Sequence, residues 1–253
     1  MRALPLGLLL TVCALSAADT EIKEFKKTIP LKPDALLALQ SEDGGVEVSG
    51  WDQPTVEIYA RISMETGNFK SKYAVQDTEI KVEGSEAGWQ IRADFSKVQQ
   101  SSWSMLTGGP ARPSVHFKIR VPRAARVKVR TENGESRITD LRGELDFEGM
   151  RGDVHLSGIE GVVRLQTMSG DIEARFLKPA GPSSVETMRG DVSLYFPAKA
   201  KFDIEPKIGQ RGTVTSDFGQ TLGAPVKEPT KVNGGGPRYR VSTMRGSVSF
   251  KKL

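Results

Sequence analysis

The chain has 253 residues, a formal net charge of +5 and a single cysteine, with acidic and basic residues interspersed rather than gathered in blocks. That distribution argues against a nucleic-acid binder, which would cluster its Lys and Arg on one helix or stripe. Beyond residue 18 no apolar run is long enough for a membrane-spanning helix, and the abundance of Gly and Pro describes a turn-rich β protein.

Met1-Arg2, the apolar stretch Ala3 to Leu15 and the small residues Ser16, Ala17 and Ala18 have the three-part layout of a secretory signal peptide, residues 1–18. Small side chains at Ser16 and Ala18 favour cleavage after Ala18, so the exported chain is expected to start at Asp19. A retained anchor is the alternative, and the stretch is short for one. Cys13 lies inside this segment, which leaves the exported chain with no thiol, disulfide or thiolate metal ligand. Lipid attachment at Cys13 needs a small residue before it, where Val12 stands.

In chain order, the first β pattern runs from Leu37 and Leu39 through Gly44 to Val46 and Val48. Asp34 to Gln40 alternates after Pro33 and reads as strand rather than helix. Thr55 to Ser63, Thr78 to Val82, Gln90 to Phe95 and Val115 to Val121 also alternate with period two, and no long amphipathic helix is predicted. Residues 97–114 are polar and Gly/Pro-rich; they form a predicted loop excursion in which Trp103, Met105 and Leu106 either fold back on a core edge, the favoured reading, or expose an apolar patch.

From Val127 onward segments align on one glycine. Units end their first half at Gly134, Gly152, Gly170, Gly190 and Gly246, the first three steps being about 18 to 20 residues long, a period in the range of solenoid rungs. Apolar or β-prone residues stand seven and five positions before each glycine and mostly apolar ones two and four after it, the mark of strand, tight turn, strand. Gly44 opens a divergent copy, and Arg211-Gly212-Thr213-Val214 is a weak one. A second excursion is predicted over residues 219–237. The expected fold is all-β: one β-solenoid (β-helix-like) domain over residues 19–253, with Val129, Phe147, Leu165 and Val185 stacked in its core and a returning C-terminal rung at Tyr239 to Phe250.

Phe25 to Pro30, Gly44-Gly45-Val46-Glu47-Val48-Ser49-Gly50-Trp51-Asp52, Ile119 to Pro122 and the recurring Thr-Met-Ser/Arg-Gly-Asp-Val/Ile turns resemble a bacterial family of adhesins of unknown function, the toast-rack type. The resemblance spans most of the chain. It implies an extracytoplasmic β-helix-like fold and supplies no catalytic residues.

The chemistry-bearing residues are few. His116 and His155 are far apart, each in an alternating strand and expected on the solvent face, and no zinc, nucleophile-elbow, phosphate-loop or dinucleotide motif is present. Asp153, Asp171 and Asp191 would stack at about 4.8 Å per rung, and a calcium ladder is one reading. Turn formation with neutralisation by Arg151 and Arg189 is favoured over it, because calcium β-rolls use shorter, denser repeats. Arg151-Gly152-Asp153 and Arg189-Gly190-Asp191 spell a receptor-recognition tripeptide, but turn geometry already explains their Gly and Asp, and Ser169 and Ser247 interrupt it in sister units. Neither catalytic residues, a cofactor nor a metal is predicted. The function expected is a non-catalytic protein of the cell envelope or surface that binds an unknown macromolecular partner, as an adhesin or scaffold. The alternatives are a sensory or regulatory ectodomain of an envelope stress pathway and a polysaccharide-active β-helix enzyme.

Overall fold

The computed structural model describes residues 20–65, 69–99, 112–209, 212–219 and 229–253. Residues 1–18, where a signal peptide is expected and Cys13 lies, and Trp103, Met105 and Leu106 are outside the described residues.

Strand β1 (Thr20–Pro30) leads into β2 (Leu36–Asp43), β3 (Val46–Trp51) and β4 (Thr55–Glu65); helix α1 (Phe69–Asp77) precedes the hairpin of β5 (Glu79–Ser85) and β6 (Gly88–Asp94). Helix α2 (Ser96–Gln99) is followed by β7 (Ser114–Pro122), β8 (Arg126–Asn133), β9 (Ser136–Thr139), β10 (Leu145–Arg151), β11 (Val154–Ile159), β12 (Val163–Ser169), β13 (Ile172–Phe176), β14 (Ser183–Arg189) and β15 (Val192–Phe196). β16 (Phe202–Ile208), β17 (Val214–Ser216), β18 (Thr230–Val232), β19 (Arg238–Arg245) and β20 (Val248–Lys252) follow. The expected excursion at 219–237 therefore contains a short strand, β18, paired antiparallel with β16.

Among the described residues the strands form two ten-stranded sheets. The first runs β1-β4-β7-β3-β9-β11-β13-β15-β20-β17 and the second β18-β16-β19-β14-β12-β10-β8-β2-β6-β5. Each regular rung contributes a strand to the second sheet, turns at its glycine and contributes the next strand to the first sheet, so equivalent strands pair in parallel. This is a β-solenoid of strand-turn-strand repeats. Alternation sends every second side chain between the sheets. Val129 faces Phe147, Phe147 faces Leu165, Leu165 faces Val185, and Val185 faces Val241, all of them buried. Each such side chain contributes about 1.5–3 kcal/mol on burial, but no single rung closes a core by itself.

Rung order in space differs from order in sequence at both ends. β2 and β3 are flanked by β6 and β7 on one side and by β8 and β9 on the other. At the far end β19 lies between β14 and β16, and β20 between β15 and β17. The returning rung thus inserts into the stack, and the weak copy around Gly212 forms the outermost rung. Aromatic rings lock the insertion: Phe176 stacks on Phe196 at 5.1 Å, Phe196 on Phe202 at 4.1 Å, and Tyr239 meets all three edge-on.

The stack is closed by antiparallel strands, β1 and β4 on the first sheet and β5 on the second. Lysines on β1 mark it as a guarded edge. Helix α1 packs beside β1 and β4. It is only nine residues long, too short for a legible helical period. Lys23 donates to the carbonyls of Gln76 and Thr78, satisfying acceptors at its C-terminal end. Among the described residues no helix is long and apolar enough to cross a membrane.

Candidate functional surface at the glycine corner

The rung corners are variants of Thr, Met, Arg or Ser, Gly and Asp, complete at Gly170 and Gly190 and partial at Gly44, Gly134, Gly152 and Gly246, and equivalent positions form columns running from rung to rung. Gly44, Gly134, Gly152, Gly170, Gly190 and Gly246 all have positive φ, between 117° and 154°. Their packing is a second constraint. A Cβ on Gly170 would stand 2.1 Å from the carbonyl oxygen of Gly152, one on Gly190 2.1 Å from that of Gly170, and one on Gly246 2.0 Å from that of Gly190. Gly212 continues the column against Gly246. The glycine therefore answers both a left-handed turn and the close approach of the neighbouring rung.

The threonines beside it point inward. Thr243 Oγ1 donates to the Gly190 carbonyl at 3.0 Å, so the glycine oxygen that abuts the next glycine also receives the next threonine. Gly149 interrupts this column in β10, opposite Thr131 and Thr167.

Asp153, Asp171 and Asp191 line up as expected but do different work. Asp153 Oδ1 accepts the backbone N–H of Asp171 at 2.8 Å, Asp171 Oδ1 that of Asp191 at 2.8 Å, and Asp191 Oδ1 that of Ser247 at 2.7 Å. Each carboxylate thus caps an amide one rung further on, a charge-assisted bond. The expected neutralisation by arginine is corrected: among the described residues Arg151 and Arg189 make no side-chain ion pair or hydrogen bond. They end β10 and β14 before the turn, whereas the carboxylates follow it and point along the stack toward free amides. No group of three or more His, Cys, Asp or Glu suited to a metal ion occurs among the described residues.

The column missed in the sequence is methionine. Met150, Met168, Met188 and Met244 each stand two residues before a corner glycine, and the pairs flanking them put all four in register on β10, β12, β14 and β19. They are 46%, 50%, 46% and 64% exposed, unusual for large apolar side chains. The signal was present in the repeated Thr-Met step, but exposure cannot be read from a residue type. Met150, Met168 and Met188 line a groove of about 360 Å³ on the outer face of the second sheet, together with Glu132, Glu148 and Gln166.

Elsewhere the outer faces carry charge ladders. On the second sheet Lys128 bridges Asp146 at 2.7 Å and Glu148 at 3.0 Å, and Arg130 reaches Glu148 at 2.8 Å. Arg130 and then Lys128 hold Glu148 below the usual carboxylate range, while Asp146 and then Glu148 raise Lys128. On the first sheet Arg120 lies 4.4 Å over the Trp51 ring and bonds Glu57 at 3.1 Å. His116 and His155 are on this outer face, partly exposed and not together; His116 meets Glu47 at 3.3 Å and His155 meets Glu135 at 3.4 Å. Burial works to raise Glu47, yet Lys118 and His116 outweigh it and hold this carboxyl low. A second open groove beside β1, β4 and β7 is lined by Lys26, Lys27, Tyr59, Lys118 and Arg120.

A known family pattern matches residues 27–249, which hold all of the stacked corners. The chain belongs to the Toastrack DUF4097 family. No curated protein matches it. Among solved structures, a candidate cell adhesion protein from Clostridium sporogenes is similar over 91% of this chain and all of its own, with 14% identity and a TM-score of 0.53. A candidate adhesin from Bacteroides fragilis covers 91% of this chain and 97% of its own at 12% identity and a TM-score of 0.43. A candidate lipid-binding protein from Parabacteroides distasonis covers 91% and 96% at 11% identity and 0.31. At that identity the likeness to the Clostridium structure concerns the fold alone.

Proposed function

We propose that this Toastrack protein is an exported, non-catalytic protein of the cell envelope or surface whose solenoid faces bind a macromolecular partner, in an adhesin-like or scaffold role. The observation that supports this most is the regular spacing of paired charges across the outer faces, as in Lys128 with Asp146 and Glu148. Side chains fixed at rung spacing lose little conformational freedom on meeting a partner, which favours broad, preorganised contact. The adhesion role attached to the Clostridium neighbour agrees with this reading. The N-terminal signal-like segment agrees with export.

The test is cell fractionation with surface protease shaving, followed by attachment assays on a deletion strain. Extracytoplasmic protein and reduced attachment, restored by the intact gene, are expected. Cytoplasmic retention would overturn export, and turnover of an envelope polysaccharide abolished by one carboxylate substitution would overturn the non-catalytic assignment.

A further inference from the structure

The methionine column has no structural necessity on the outer face. Positions two residues earlier on the same strands and face carry Glu148, Gln166, Glu186 and Ser242, as a solvated sheet face should. Two residues later lies the glycine corner. Only the methionine position keeps a large, exposed, apolar side chain through four consecutive rungs. What its four members share, and leucine would lack, is a polarisable thioether sulfur.

We propose that Met150, Met168 and Met188 form a thioether site for a soft monovalent cation, Cu(I) or its analogue Ag(I), with Met244 as an adjacent ligand on the next rung. Adjacent strands set the side-chain roots about 4.8 Å apart. Sulfurs that share one ion at about 2.3 Å each lie within about 4 Å of one another; Met168 stands between Met150 and Met188, whose roots are about 9.6 Å apart, and the flexible methionine side chains close that gap by converging over Met168. Three of the four line one groove, so their sulfurs have a common space to enter. Thioethers select Cu(I) over the harder divalent ions. The charges around the groove are mixed: Glu132 and Glu148 line it together with Arg130, whose guanidinium is already paired with Glu148 at 2.8 Å, and Glu186 shares the same strand face. This inference is separate from macromolecular binding by the faces and stands or falls independently of it.

A thioether does not take up a proton at moderate acidity, so such a site keeps its metal where histidine and carboxylate sites release theirs. The experiment is calorimetric titration of the purified protein with silver nitrate in chloride-free buffer, paired with anaerobic Cu(I) competition against a chromophoric chelator. Every sample carries Cys13→Ser, so that no thiol contributes. One equivalent bound is expected, with affinity changed less than about threefold between pH 7 and pH 5. Met168→Leu, which keeps the apolar volume, should weaken binding at least about tenfold, and the M150L/M168L/M188L variant should abolish it. Thermal melting without metal checks that the variants fold, and the single variant decides the matter should the triple one not fold. Absence of binding, affinity unchanged by Met168→Leu, or loss of metal at pH 5 would each overturn the site.

Discussion

The carboxylate of Asp171 accepts the backbone N–H of Asp191 at 2.8 Å, while the N–H of Asp171 donates to Asp153 at the same distance. The column is therefore a chain of inter-rung caps, and each aspartate serves the amide of the rung after it. Asp171→Ala should lower unfolding free energy by about 1–2 kcal/mol in urea titrations. Asp171→Asn retains an acceptor oxygen and should recover most of that loss; equal damage from both would point to charge rather than capping.

Gly170 and Gly234 separate backbone strain from collision. Both have positive φ, 139° and 97°, but a Cβ at Gly170 meets the Gly152 carbonyl at 2.1 Å whereas one at Gly234 has nothing within 4 Å. Gly234→Ala should cost about 1 kcal/mol. Gly170→Ala should cost more than about 4 kcal/mol or prevent folding, as read by chemical denaturation.

Removing residues 238–253 would take out β19 and β20 and leave β14 and β15 each without one of its two neighbours, with β16 and β17 detached beyond the gap. Loss of a cooperative melt is expected on deletion. A synthetic peptide of the same residues, added in trans, should restore the circular dichroism transition, because the gap has the shape and register of that one rung.

Asp94 is held down to about 2 by Lys81 and then by the N–H of Ser96, at the β5–β6 edge of the second sheet. Its folded value lies below its unfolded one, so its contribution is fully present above about pH 4 and is lost as pH falls toward 2. Thermal melts should show that decline in the wild-type protein, and a shallower one in Asp94→Asn. Parallel curves would remove Asp94 from the acid response.

Tyr239 is fully buried, and burial pushes its phenol well above the ordinary value, opposed only in part by Ser183. Its hydroxyl has no hydrogen-bond partner of good geometry among the described residues, while Ser183 Oγ already accepts the N–H of Val163 at 3.1 Å. Tyr239→Phe keeps the edge-on contacts with Phe176, Phe196 and Phe202 and relieves an uncompensated polar group. The variant should be as stable as the parent or more stable by about 1 kcal/mol in urea.

Much of the architecture was legible in the chain. Period two before and after each glycine placed Val129, Phe147, Leu165 and Val185 in one column, and the four alternating segments before Gly134 correspond to β4, β5, β6 and β7. Helix α1 was not legible, since two turns carry too little periodicity, and β18 was hidden in a proline-containing segment. At the corner, Gly and Asp were read as local turn chemistry. Their larger role lies between rungs: Gly170 against Gly152, and Asp171 capping Asp191.

The sequence by itself determined that glycine-marked strand pairs repeat and that each presents one apolar edge inward, because alternation and turn geometry are local properties. Only the tertiary structure decided which rung lies beside which. Repeats with nearly the same pattern can pair in many orders, and it is particular side chains that choose among them. Ser183 leaves room opposite Tyr239, and the rings of Phe176, Phe196 and Phe202 close around that tyrosine, so the last rung enters the stack rather than ending it. The exposure of the four methionines was settled at the same level, since a strand shows which residues share a face but not whether anything covers it.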